Sequence, residues 1–87
     1  MPITVEKPSE EQIADMKRRP IWEKEASTFD WSYDEPETFL LIQGRVTIST
    51  PGGERVTCAP GDLVTCPAGM DCTWEVIEPV RKHYKMG

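Results

Sequence analysis

From residue 20 to residue 84 the apolar residues fall into short stretches, many alternating with polar positions, and nearly all bounded by glycine, proline or aspartate. A period of two broken by turn residues predicts β-strands. The pattern places strands at 21–27, 29–33, 38–43, 45–50, 54–59, 63–66, 72–77 and 80–84. Pro51-Gly52-Gly53, set between alternating Val46-Thr47-Ile48-Ser49 and Arg55-Val56-Thr57, predicts a hairpin. Before residue 20 the pattern changes. Ser9-Glu10-Glu11-Gln12 has the form of a capping box, Ile13 and Met16 follow three apart, and Arg18-Arg19-Pro20 ends the segment, which predicts one short helix. Short strands spaced about eight to twelve residues apart, with no crossover helices between them, point to an all-β jelly-roll barrel. The chain is expected to form one domain over 1–87, with residues 1–19 as an N-terminal arm and helix and 20–87 as the barrel.

Eighty-seven residues bury a modest core and leave much surface exposed, so pairing with a second copy through a strand edge or apolar face, as a homodimer, is expected. A net charge of −5 with a pI near 4.8 argues against nucleic acid as a partner. No apolar run approaches the roughly 20 residues of a membrane span, and residues 1–8 have no secretory core. With three cysteines, an odd number, the chain reads as cytoplasmic with reduced thiols.

The most informative stretch is Gly61 to Cys72. Gly61 permits a tight turn after Pro60, residues 63–66 form a strand, and Pro67 with Gly69 stop it and reverse the chain. This stretch is similar to the second sequence motif of the cupins, with Cys72 standing where their metal-binding histidine is usual. Glu37, six residues and Gly44 resemble the end of the first cupin motif. The usual pair of histidines upstream of that glutamate corresponds here to Trp31 and Tyr33, neither a ready metal ligand at neutral pH. Pro20 to Glu25, Phe29-Asp30-Trp31, Tyr33-Asp34, Glu37-Thr38, Gly61 to Val64, Cys72-x-Trp74 and Pro79 to Tyr84 resemble small stand-alone cupins whose domain also occurs in (S)-ureidoglycine aminohydrolase. The resemblance implies a cupin barrel, often dimeric, in a group whose single-domain members largely lack an assigned reaction. The aminohydrolase's histidine-rich manganese site has no counterpart in this sequence.

The candidate chemistry centres on Glu37 and Cys72. Glu37 precedes the apolar run 39–42 and is expected to point inward, either as ligand or general base or as an acceptor of hydrogen bonds from Tyr33 or a backbone amide. Cys72 as thiolate would favour zinc or copper, with Cys66 and His83 as weaker additional ligands; as a thiol it is a small core residue. A metal-free alternative makes Cys72 a nucleophile with Glu37 or His83 as base. No cofactor is firmly implied, and a divalent ion is the one considered. The aromatic side chains suggest another use: Trp31, Tyr33 and Trp74, with Glu37 and Cys72, would frame a pocket for a small molecule. Two functions follow: a cupin binding a small molecule in a histidine-poor pocket, or a small metal-dependent enzyme using Glu37 and Cys72.

Overall fold

The computed structural model describes residues 2–87. Its elements are β1 (Thr4–Glu6), α1 (Glu10–Met16), β2 (Ile21–Lys24), β3 (Ser27–Ser32), β4 (Glu37–Ser49), β5 (Arg55–Cys58), β6 (Leu63–Cys66) and β7 (Asp71–Met86). The long antiparallel strands β4 and β7 form the spine. The first half of β4 carries β6 and, beyond it, β1; the second half of β7 carries β2. The other halves of the spine carry β5 and β3. The sheet is thereby folded into two faces of a jelly roll, as the strand pattern predicts.

Two of the expected interruptions are bends within continuous strands. Predicted strands 38–43 and 45–50 merge into β4 through Gly44, and 72–77 and 80–84 merge into β7 through Pro79. The register between β4 and β7 shifts between Leu41 and Val46. Gly44 has φ +94°, and a Cβ there would lie 2.2 Å from the Pro79 carbonyl oxygen. Close backbone approach at this bulge therefore requires glycine, and proline, which has no N–H to pair, is tolerated opposite it. The spine bends here and supplies both faces.

The N-terminal arm is more integrated than the pattern predicts. Thr4 to Glu6 pair with Leu63 to Thr65, and the Lys7 ammonium donates to Asp62 at 2.9 Å. Helix α1 begins as expected: Gln12 N–H donates to the Ser9 hydroxyl, while Ser9 N–H donates to the Gln12 side chain. Its Ile13 and Met16 pack on Leu40 and Leu63, outside the main core. Inside, Phe39, Leu41, Val46, Ile48, Val64, Trp74, Val76 and Val80 form that core. Among the described residues, no helix is long and apolar enough to cross a membrane.

Candidate functional site

Strand β7 positions most of the site. Its inward phase runs through Cys72, Trp74, Val76, Val80 and Lys82, all buried, and on to the half-buried Tyr84. One member of this otherwise apolar row is a lysine. Glu37, the first residue of β4 and the register partner of Met86, points to the same interior and reaches Lys82 through its side chain. Tyr33 is placed by backbone: its N–H donates to the Met70 carbonyl at 3.0 Å, and Gly69 N–H donates to the Tyr33 carbonyl at 2.6 Å. The turn made by Pro67 and Gly69, read from the sequence as a chain reversal, thus also holds Tyr33.

These side chains form a chain of short hydrogen bonds. The Lys82 ammonium donates to Glu37 Oε2 at 2.6 Å, and the Tyr33 hydroxyl donates to Glu37 Oε1 at 2.6 Å. The Lys82 and Glu37 side chains are only 6% and 7% exposed, so the ion pair is desolvated. Four rings surround the ammonium: Phe39 and Trp74 at 4.4 Å, Trp22 at 4.8 Å and Tyr84 at 5.9 Å. Their π faces compensate part of the hydration the cation has lost. Burial pulls the Lys82 pKa below the usual lysine range, against the opposing pull of Glu37. Burial and then the Glu37 carboxylate push the Tyr33 hydroxyl far above the usual tyrosine range, so it stays a donor.

Above this polar floor lies a cavity of about 340 Å³ walled by Trp22, Phe29, Trp31, Trp74 and Tyr84, with Met86 at one side. Trp22, Phe29 and Trp74 pack together edge-on and stacked, with centroids 5.9 to 6.3 Å apart, which gives a stiff aromatic wall. Trp31 is different: half of it is exposed, at 52%. It forms the outer, solvent-facing wall.

Of the residues singled out in the sequence, Trp31, Tyr33, Glu37 and Trp74 all face this cavity. Cys72 does not line it. Its Sγ lies 3.6 Å from the Trp31 carbonyl, in the core beneath the wall, and burial raises its pKa. Cys66 is likewise a core thiol, pushed up to about 12 by burial, and so is Cys58. His83 falls in the outward phase of β7, where its Nδ1 sits 2.9 Å from the Arg19 carbonyl. Strand alternation makes these placements incompatible: with Lys82 inward, His83 must face away.

The candidate metal ligands Glu37, Cys72, Cys66 and His83 are therefore not gathered on one centre. Among the described residues, no cluster of three histidine, cysteine, aspartate or glutamate side chains has a metal-binding arrangement. Both Glu37 oxygens already hold donors, and the positive charge beside them is the Lys82 ammonium. The donor set present does not fit the metal centre usual in cupins. Nor does Cys72 have a base: neither Glu37 nor His83 is hydrogen-bonded to it, so the nucleophile arrangement is not assembled. The residues that sequence reasoning left out are Lys82, Phe29, Tyr84 and Met86. The usable signal for Lys82 was its phase, shared with Trp74, Val80 and Tyr84.

Residues 11–84 match the EutQ-like cupin domain. The chain is an EutQ-like cupin. It resembles the crystal structure of a DUF861 family protein from Thermotoga maritima, with a TM-score of 0.94 and 44% identity over 99% of this chain and all of that one. EutQ of Clostridium difficile is similar at a TM-score of 0.69 and 27% identity, over 76% of this cupin and 52% of that chain. A DUF861 family protein of unknown function from Pseudomonas syringae is similar at 0.70 and 29% identity, over 77% of this cupin and 29% of that chain. This cupin thus spans about half the length of the Clostridium protein. No curated protein matches it. Family and fold are settled, with no assigned reaction.

Proposed function

We propose that this EutQ-like cupin binds a small organic molecule between its aromatic walls, with Glu37, Lys82 and Tyr33 as the polar floor and no catalytic metal. One observation carries the reading: a 340 Å³ cavity walled by aromatic side chains converges on a buried, hydrogen-bonded ion pair. Apolar walls with a few fixed polar groups are the usual makeup of a small-molecule site. The metal-dependent alternative loses support because the two Glu37 oxygens are committed to Tyr33 and Lys82.

The site proposed is Trp31, Tyr33, Glu37 and Trp74, as read from the sequence, extended by Trp22, Phe29, Lys82 and Tyr84 and without Cys72. Within the family, the motif residues favour the stand-alone cupins of the (S)-ureidoglycine aminohydrolase domain type, as a scaffold and not as that activity. We also propose one cytoplasmic domain over 1–87 that forms a homodimer, supported by the unpaired edges of the sheet and by Ile21 and Ile77, exposed at 42% and 46%. Sedimentation equilibrium reads that state, and a monomer at micromolar concentration would end it.

The pocket is tested with N-phenyl-1-naphthylamine, a neutral dye that fluoresces in apolar surroundings. Saturable binding at one site per chain, weakened by Trp31→Ala and unchanged by His83→Ala, is expected. A linear, unsaturable rise, or equal binding by the Trp31→Ala variant, overturns the reading.

A further inference from the structure

The charges and hydrogen bonds of the pocket floor restrict what its ligand can be. Lys82 and Glu37 neutralise one another at 2.6 Å, so the floor carries no uncompensated charge. A second ion buried against this floor would be desolvated without a free partner of opposite charge, which is costly. An incoming cation would meet an aromatic cage already filled by the Lys82 ammonium. An incoming anion would stand close to the Glu37 carboxylate.

Hydrogen-bonding capacity is just as one-sided. An ammonium has three donors and no acceptor. Among the described residues, the Lys82 ammonium has a single hydrogen-bond acceptor, Glu37 Oε2, and Lys82 is 4% exposed. Each Glu37 oxygen, by contrast, already accepts a short bond. What the site lacks is an acceptor, and what its walls accept is a flat apolar body.

The geometry points to a neutral, planar, apolar molecule bearing a carbonyl group, whose oxygen accepts from the Lys82 ammonium while its ring lies between Trp22, Phe29 and Trp31. The ligand class rests on the pocket reading above, and it is narrower: aryl amides, lactams and ketones fit it, whereas carboxylates and amines do not.

Titration by calorimetry and by ¹H–¹⁵N NMR with benzamide, acetophenone, benzoate, benzylamine and toluene tests this. One hydrogen bond to a charged donor makes benzamide and acetophenone bind about tenfold or more tightly than the other three. Lys82→Met removes that preference while toluene binding persists, and the Glu37→Gln, Lys82→Met double variant does the same if the single variant fails to fold. Equal binding of all five probes, or preference for benzoate or benzylamine, overturns the carbonyl assignment and leaves the pocket standing. A carbonyl preference that survives both variants overturns it as well. If neither these probes nor N-phenyl-1-naphthylamine binds, the pocket reading falls with it.

Discussion

Replacing Lys82 by methionine removes the ammonium while keeping an unbranched side chain of similar length. Glu37 would then be a buried carboxylate whose remaining donor is the Tyr33 hydroxyl at 2.6 Å. Removing one partner of a buried ion pair destabilises by roughly 3–5 kcal/mol because the other charge is left uncompensated. The side chains here are 6% and 7% exposed, so little of that is relieved by water. Against a total stability of about 5–15 kcal/mol for a native domain, this is a large fraction. In a domain of this size it corresponds to a fall in Tm of about 4–8 °C for each kcal/mol. Adding Glu37→Gln removes the stranded charge and should bring the double variant back to within about 1–2 kcal/mol of wild type, since neutral replacements of buried pairs are often tolerated. Urea unfolding followed by tryptophan fluorescence gives both values, provided the m-value is unchanged. A Lys82→Met variant within about 1 kcal/mol of wild type, or a double variant no more stable than the single one, would refute a desolvated pair.

Cys58 and Cys66, held near 12 by burial against an ordinary 9, contribute stability that is complete below pH 9 and is lost as pH rises toward 12. Tyr33 adds to that loss while the lowered Lys82 opposes it, so Tm should decline above about pH 9, and a Tm that is flat to pH 11 would contradict the buried thiols. Gly44→Ala, at φ +94° and with its Cβ 2.2 Å from the Pro79 oxygen, should cost at least the roughly 1–2 kcal/mol of a left-handed residue, measured by the same urea unfolding. Trp31→Ala should change stability by less than about 1 kcal/mol, being half exposed, yet weaken dye binding about tenfold. Zinc or manganese should not raise the Tm of wild type, and Cys72→Ser should leave that result unchanged; a metal-dependent rise abolished by Cys72→Ser would restore the metal reading.

What could be read from the sequence was local and periodic. The capping box at Ser9, the Pro51 to Gly53 hairpin and the Pro67 to Gly69 reversal are each encoded within a few residues, and each forms where expected. The merging of paired strands at Gly44 and Pro79 was not legible, because a turn residue and a bulge residue have the same identity and differ only in what packs opposite them. The site was half visible. Trp31 and Trp74 sit on strands whose phase the pattern supplied, with Tyr33 just past the end of β3 and Glu37 at the start of β4, but Cys72 was drawn into the pocket by its place in a motif rather than by its surroundings. Lys82 was concealed in the triplet Arg81-Lys82-His83, which reads as a solvated basic cluster. Pairing with Glu37, 45 residues away, together with the surrounding rings makes burial of its charge tolerable, and no local pattern reports a partner at that separation.

Whether the aromatic pocket takes an organic ligand is read by NMR shift mapping of ¹⁵N-labelled protein with N-phenyl-1-naphthylamine. The indole N–H signals of Trp22 and Trp31 and the amides of β2 and β3 are expected to move saturably, while the loop around Thr50 to Glu54 stays still. Shifts confined to that loop and Met70 to Asp71, which border the shallower second concavity, or no shifts at all, would contradict it.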